Sequence, residues 1–210
     1  MSRIIVYFAH PGQKFSRANL AMAKAAQRLA DVTFVDLYAE YPRHDIDVEK
    51  EQARLLAHDI IVFQFPLYWY STPSLVKEWQ DLVLQHGFAY GHGGDRLAGK
   101  TLLVATTAGG SEEAYTPEGY QHFPLRRFLT PLEQTARLCK MTFAPPVVLY
   151  SALKAHEDRE IAAHAAAYAG LLSALRAGAA ALPEDTGETV LTTADLETLL
   201  PALQKAHPDD

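Results

Sequence analysis

The sequence predicts a three-layer α/β fold in which helices cover both faces of a five-stranded parallel sheet. Short apolar runs rich in β-branched residues alternate along the chain with longer segments of helical periodicity. Right-handed crossovers join parallel strands, so this alternation produces a doubly wound sheet, for which the economical strand order is 2-1-3-4-5. We expect residues 1–180 to form this domain and residues 181–210 to form a tail or a docked short helix.

Five apolar runs define the strands of this sheet. They are Arg3 to Ala9, Val32 to Leu37, Asp59 to Phe65, Lys100 to Thr107 and Met141 to Tyr150. The first four contain no proline, as expected of strands that are hydrogen-bonded within a sheet. The fifth contains Pro145-Pro146, which cannot donate ladder hydrogen bonds, so we expect it to lie at an edge or to start late.

Segments with apolar residues at helical spacing lie between and after the strands. They are Arg17 to Ala30, Val48 to His58, a helix that starts at Thr72-Pro73 and stops at Gly87, a helix that starts at Thr130, Glu157 to Ala177 and Thr193 to Ala206. Ser16 occupies the position of an N-cap for the first of these helices. Trp79 shares an apolar stripe with Leu75 and Val76, so we expect it in the core.

The composition is that of a globular protein and excludes several functional classes. The net charge is -6 and no long Lys/Arg run occurs, which argues against nucleic-acid binding. The chain has one cysteine, Cys139, so no intrachain disulfide can form, and its apolar surroundings indicate a buried residue. The apolar runs are too short to span a membrane, and Met1 is followed closely by a strand, so we expect a cytoplasmic protein without a metal site.

The most unusual loops follow strands 1, 3 and 4, whose carboxyl ends meet at the ligand crevice of such a sheet. The first loop, His10 to Asn19, opens a helix, so backbone N–H groups and the positive helix end face the crevice. The Ser16 hydroxyl can donate to a phosphate, and Asn19 can fix the loop or reach the same anion. The alternative is that Ser16 only caps its helix, because the loop has neither a G-x-G-x-x-G motif nor a Walker lysine.

The second loop, Pro66 to Thr72, carries Leu67, Tyr68, Trp69 and Tyr70. Three adjacent aromatic residues cannot all point inward from one loop, so at least one should face a pocket or a partner. Aromatic residues at the end of a strand suit a flat, conjugated ligand, and we expect flavin ahead of nicotinamide. A small satellite core is the alternative.

The third loop, Thr106-Thr107-Ala108-Gly109-Gly110, allows the backbone to approach a planar ligand because the glycines carry no side chain. Its N–H groups can stabilise negative charge on a reduced ring, whereas a plain turn is the alternative. Tyr115 and His122 follow, and we expect this pair to handle a proton at the edge of that ring.

Taken together, the three loops resemble those of the flavodoxin-like NAD(P)H:quinone oxidoreductases. The likeness is strongest to the bacterial branch that includes the ancillary flavoproteins of glutathione-regulated potassium efflux systems, and it covers roughly residues 3–178. It is carried by His10-Pro11 with Ser16 to Asn19, Pro66 to Ser71, Trp79-Gln80-Asp81 with His86 to Gly91, and Thr106 to Gly109.

The resemblance implies which residues bind the cofactor. The phosphate side would be held by His10, Ser16, Arg17, Ala18 and Asn19. The flavin ring would be held by Pro66, Leu67, Tyr68, Trp69, Tyr70, Thr106, Thr107, Ala108 and Gly109. Related mammalian-type enzymes carry a tyrosine and a histidine after the glycine loop. Tyr115 matches that spacing with an offset of one residue and His122 is displaced by one more, so Gln121 is an alternative to His122.

The function implied is a flavin enzyme with two-electron, ping-pong chemistry. NADH or NADPH would reduce FMN, with FAD as the alternative cofactor, and a quinone or similar acceptor would then be reduced within a homodimer. One alternative is a regulatory, ancillary flavoprotein that binds a potassium-efflux transporter, and so lies peripherally at the inner membrane. Another is a flavodoxin-type one-electron carrier, against which the modest net charge of -6 and the Gly-rich loop Phe88 to Gly94 argue.

Overall fold

A computed structural model describes residues 1–12, 16–153, 158–178, 182 and 187–206. It has the predicted α/β architecture, with strand order β2-β1-β3-β4-β5 and β6 also paired with β4. The strands are β1 (Ile4–Phe8), β2 (Val32–Asp36), β3 (Ile60–Pro66), β4 (Thr101–Thr107), β5 (Thr142–Phe143) and β6 (Val147–Leu149). The helices are α1 (Ala18–Gln27), α2 (Leu37–Glu40), α3 (Val48–Ala57), α4 (Ser74–Val83), α5 (Leu125–Phe128), α6 (Thr130–Leu138), α7 (Asp158–Ala177) and α8 (Thr193–Ala206).

All of the strand pairs are parallel, and β1 lies between β2 and β3. Ile4 lies opposite Val32 of β2 on one side and Ile60 of β3 on the other. Every residue of β1 and β3 is buried, because helices cover both faces of the sheet. This explains why these strands are continuous apolar runs in the sequence.

The predicted fifth strand is split in two by Pro145 and Pro146. Thr142 pairs with Thr101 and Val147 pairs with Ala105, so both pieces extend the same edge of β4. The prolines cannot donate to β4, and the ladder resumes after them. The predicted interruption of this strand is confirmed.

The two faces of the sheet carry separate hydrophobic cores, as the period of two along a strand requires. Ile5 and Tyr7 face α3, α4 and α6, where Trp79 is fully buried as predicted. Ile4 and Val6 face α1 and α7. Cys139 is buried in the first core, and this burial raises the pKa of its thiol.

The tail packs against the second core. Leu191 donates its N–H to the Pro146 carbonyl (2.7 Å) and accepts from the Val148 N–H (2.9 Å), so the tail continues the sheet beyond β6. Leu196 of α8 is fully buried. A Cβ at Gly170 of α7 would lie 2.9 Å from Leu200 Cδ1, so α7 and α8 pack closely at this glycine. Of the predicted tail, residues 181, 183–186 and 207–210 lie outside the described residues.

The first helix begins later than the sequence indicated. Its N-cap is Arg17, which makes no side-chain capping hydrogen bond among the described residues, and Ser16 lies outside the helix. The prediction that Ser16 caps this helix is therefore wrong. Among the described residues, no helix combines the length and the apolar character needed to cross a membrane.

Candidate functional site

A cleft of about 370 Å³ opens at the carboxyl ends of β1, β3 and β4. Its volume is in the range of small-molecule sites. It is lined by His10, Ser16, Arg17, Ala18, Asn19, Pro66, Leu67, Tyr68, Thr107, Gly109, Ala152 and Leu153. The three loops that the sequence singled out therefore meet in one cavity, as the strand order requires.

Asn19 lines the cleft and connects the loops that surround it. Its side-chain amide donates to Thr107 Oγ1 (2.7 Å), and its backbone carbonyl accepts from Gln64 Nε2 (2.9 Å). All three side chains are buried, so this network fixes the start of α1 against β3 and β4. Asn19 Oδ1 is buried without a hydrogen-bond partner among the described residues. A buried acceptor of this kind at a cleft wall suits a hydroxyl group of a ligand.

His10 is a neutral hydrogen-bond donor at the cleft wall. Its Nδ1 accepts from the Gly12 N–H (3.1 Å), so the hydrogen of a neutral ring lies on Nε2. Burial lowers the pKa of His10, which keeps the ring neutral at physiological pH. Nε2 lies 3.4 Å from the Tyr68 hydroxyl, and the two rings meet edge to face. His10 therefore links the first loop to the aromatic loop.

The amino terminus of α1 forms the anion-binding end of the cleft. Ser16, Arg17 and Ala18 line the cleft there, and within the described part of the chain Arg17, the N-cap of this ten-residue helix, makes no side-chain capping hydrogen bond. Uncapped N–H groups and the helix dipole attract a negatively charged group such as a phosphate. Together with the acceptor Asn19 Oδ1, these N–H donors fit a phosphate joined to a hydroxyl-bearing chain.

The aromatic loop forms a tight turn at the cleft rim. Tyr68 and Ser71 exchange two backbone hydrogen bonds of 3.0 Å, and Trp69 (φ 47°) and Tyr70 (φ 66°) between them are left-handed. Positive φ at both central residues defines a type I′ turn, which normally requires glycine or asparagine. Bulky residues there cost of order 1–3 kcal/mol each, and such strain is concentrated at functional sites.

The strained turn directs Trp69 into solvent. Its side chain is 93% exposed, which confirms that at least one aromatic residue of this loop points outward. Tyr70 stacks on Phe128 of α5 with ring centroids 4.9 Å apart. Neither Trp69 nor Tyr70 lines the cleft itself, so these two residues form its outer rim.

The glycine loop divides its residues between the cleft and the core. Thr107 and Gly109 line the cleft. Thr106 is buried and donates its hydroxyl to the Phe65 carbonyl (2.8 Å), and Ala108 is buried with its N–H bonded to the Leu149 carbonyl (2.8 Å). Neither Thr106 nor Ala108 therefore reaches the cleft with a side chain, because alternate residues of a strand face opposite sides.

The structure does not bring Tyr115 and His122 into one cavity. Tyr115 is buried behind the glycine loop against Tyr150 and Phe128, and burial is the main cause that raises its pKa. His122 is exposed and lines a separate groove with Phe123 and Arg127. The alternative residue, Gln121, is partly buried.

Three residues near the cleft were missed by the sequence analysis. Ala152 and Leu153 follow β6 and line the cleft, and Leu153 Cδ1 would lie 3.0 Å from a Cβ at Gly109. The rule that selected the other loops applies to the carboxyl end of this strand too and could have found them. Tyr120 was missed because no motif marks it, although its hydroxyl lies beside Gly110.

A parallel sheet in this order, with an uncapped helix terminus and an aromatic turn at its carboxyl edge, defines a protein of the flavodoxin-like class. Residues 2–172 match a family model described as having a flavodoxin-like fold. The chain belongs to that family, and the resemblance found in the sequence is confirmed.

Individual relatives agree with this assignment. The chain is 46% identical over 167 residues to the glutathione-regulated potassium-efflux system ancillary protein KefG of Cronobacter sakazakii, covering 80% of this chain and 90% of the relative. General stress protein 14 of Treponema denticola, solved in complex with FMN, has 33% identity and a TM-score of 0.78 over 82% of this chain and 99% of that one.

A third relative carries an enzymatic name. An NADPH-quinone reductase from P. pentosaceus has 29% identity and a TM-score of 0.71, covering 80% of this chain and 96% of that one. The solved structures similar to this chain thus include an oxidoreductase and a complex with FMN. The family match ends at residue 172, before α8.

Proposed function

We propose that this protein is an FMN-dependent NAD(P)H:quinone oxidoreductase. The observation that carries the proposal is the pairing of two polar features in the cleft, the N–H donors at the amino terminus of α1 and the buried acceptor Asn19 Oδ1, which has no partner among the described residues. These two features match the phosphate and the polyol chain of FMN. FAD remains the alternative, because the described residues carry no feature that selects against an adenylate.

Different residues of the cleft would bind the phosphate, the polyol chain and the ring of FMN. The first turn of α1 with Ser16 binds the phosphate, and Asn19 Oδ1 accepts from a chain hydroxyl. Leu67 and Tyr68 on one side and the backbone of Thr107 and Gly109 on the other enclose the ring. Trp69 and Tyr70 shield the rim from water.

The bound FMN would supply hydride chemistry, taking a hydride from NADH or NADPH and passing it to a quinone or similar acceptor. The chain's own residues provide hydrogen bonds and exclude water. The neutral His10 donates from Nε2 at the cleft wall. N–H groups of the Gly109-Gly110 backbone hold negative charge on the reduced ring. Tyr115 stays protonated because burial raises its pKa.

A second copy of the chain would complete the site. Trp69 and Phe123 are exposed, and the Phe128 ring contacts both Tyr70 and Phe123. Aromatic surface of this extent beside a ligand cleft is typical of an interface core. We therefore propose a homodimer whose interface covers the rim of the flavin site, with a cytoplasmic location.

A second candidate function is supported by the 46% identity to KefG. In that case the protein would bind a potassium-efflux transporter at the inner membrane as a regulatory subunit, with its enzymatic activity secondary. Co-purification with a membrane transporter at stoichiometric yield would favour this role. A third, flavodoxin-type electron transfer, would be indicated by a stable semiquinone during reductive titration.

The decisive experiment is a flavin titration of the purified protein. We expect yellow protein that releases FMN on denaturation and rebinds it with quenching of flavin fluorescence. Asn19→Leu should weaken FMN binding about 10-fold or more, because it removes both the free acceptor and the bond to Thr107. Gln80→Leu is the matched control, because it removes a buried amide bonded to the Val76 carbonyl far from the cleft. Folded protein that is colourless and binds neither FMN nor FAD would refute the proposal.

A further inference from the structure

The Tyr120 hydroxyl lies directly beside the glycine loop. A Cβ built on Gly110 would lie 2.8 Å from Tyr120 Oη and 3.1 Å from Tyr115 Cε2. The two tyrosines differ in exposure, since the Tyr120 side chain is 68% exposed and Tyr115 only 8%. Of these two phenols, Tyr120 is therefore the one that a molecule arriving from solvent would meet.

The backbone around Tyr120 is braced on both sides. The Gly119 N–H donates to the Thr116 carbonyl (3.1 Å), and the Gln121 N–H donates to the Ala114 carbonyl (3.1 Å). A Cβ at Gly119 would lie 2.4 Å from the Ala114 carbonyl oxygen, so only glycine fits at the turn that precedes Tyr120. These contacts fix the backbone from which the exposed Tyr120 side chain extends, so they hold its hydroxyl near the glycine loop.

His122 is directed elsewhere by its own backbone. Its φ is 62°, a left-handed conformation that turns the chain immediately after Tyr120. The His122 side chain lines the groove formed with Pro117, Phe123 and Arg127, and not the cleft that contains Gly109. Position 120 is thus the polar position of this segment that faces the glycine loop.

We propose that Tyr120 is the residue that donates a proton to the oxygen of a quinone acceptor, an inference that rests on the proposed function. Reduction of a quinone to a hydroquinone requires two electrons and two protons. The hydride supplied by the reduced cofactor carries both electrons and one proton. The second proton comes from the Tyr120 O–H bond, which breaks as the second oxygen of the acceptor gains the hydrogen. Water then reprotonates the tyrosinate.

The position of Tyr120 suits this step chemically. A neutral phenol donates a hydrogen bond to a carbonyl oxygen in the ground state and becomes the general acid as negative charge develops there. The Tyr120 hydroxyl lies beside the Gly110 backbone and its side chain is open to solvent, so an acceptor carbonyl that reaches the glycine loop can meet this O–H directly. The preferred substrates are accordingly carbonyl acceptors rather than one-electron oxidants.

The test compares Tyr120→Phe with Tyr38→Phe, a matched control that loses a phenol on α2 at the same end of the sheet. FMN affinity and the rate of reduction by NAD(P)H are measured first, and both should equal wild type in Tyr120→Phe. Oxidation of the reduced protein by 1,4-naphthoquinone should then slow by at least about 10-fold, within the range of general-acid catalysis. Binding of 1,4-naphthoquinone to the oxidised protein, followed by calorimetry, should weaken about 5-fold from the lost hydrogen bond.

The outcomes separate this inference from the proposed function. Wild-type protein that binds no flavin would refute the proposed function before Tyr120 is tested. Normal flavin binding with unchanged naphthoquinone affinity and unchanged oxidation in Tyr120→Phe would overturn the role of Tyr120 alone. A loss of oxidation rate in His122→Asn with Tyr120→Phe at the wild-type rate would overturn it as well, and would assign the proton to His122.

Discussion

The buried His164 makes the docking of the tail sensitive to acid. Its Nδ1 is hydrogen-bonded to Thr193 Oγ1 (2.8 Å) at the start of α8, and its Nε2 is buried without a partner among the described residues. A protonated ring would carry an unpaired buried N–H there. Burial accordingly lowers the pKa of His164 from 6.5 to about 4.

The sign and size of the effect follow from this shift. The unfolded chain binds the proton near pH 6.5 and the folded protein only near pH 4, so the stability from this group is complete above pH 6.5 and is lost as the pH falls towards 4. At about pH 5 the loss from this one group is about 2 kcal/mol. For a chain of this size that corresponds to about 4 to 8 °C in Tm.

The assay is urea unfolding of wild type and His164→Asn at about pH 7.5 and about pH 5. Asparagine can keep a bond to Thr193 but cannot titrate. We expect wild type to lose about 2 kcal/mol more than the variant between the two pH values. Any cavity left by the substitution costs the same at both pH values and cancels. Equal pH dependence in the two proteins would refute the reasoning.

Two further substitutions test the tail and the aromatic turn. Leu196→Ala should lower the free energy of unfolding by about 2–5 kcal/mol, because the Leu196 side chain of α8 is fully buried. A loss below about 1 kcal/mol in urea unfolding would mean that the tail does not dock in solution. Trp69→Ala should change stability by less than about 0.5 kcal/mol because the side chain is 93% exposed, yet should weaken flavin retention or slow turnover. Unchanged flavin content and rate in this variant would remove the turn from the site.

The sequence predicted the loops of the site more successfully than the direction of individual side chains. Its strand order placed the loops after β1, β3 and β4 at one edge, and they do line one cleft. Thr106 and Thr107 show why the sequence did not predict which side chains enter the cleft. Neighbouring residues of a strand face opposite sides, so only Thr107 reaches the cleft, and a Thr-Thr pair gives no sign of which one it is. The N-cap at Ser16 was wrong because capping depends on backbone geometry that two adjacent polar residues leave open.

The sequence alone determined the layers, the strand order and the chemical character of the three loops, because hydrophobic periodicity and β-branched runs report local structure directly. Only the tertiary structure decided that α8 buries Leu196, that Trp69 is held outward and that Tyr120 rather than His122 lies beside Gly110. The last two depend on left-handed φ values at Trp69, Tyr70 and His122. Bulky residues adopt left-handed φ values only where the surrounding structure holds them there, so the local sequence does not predict these angles.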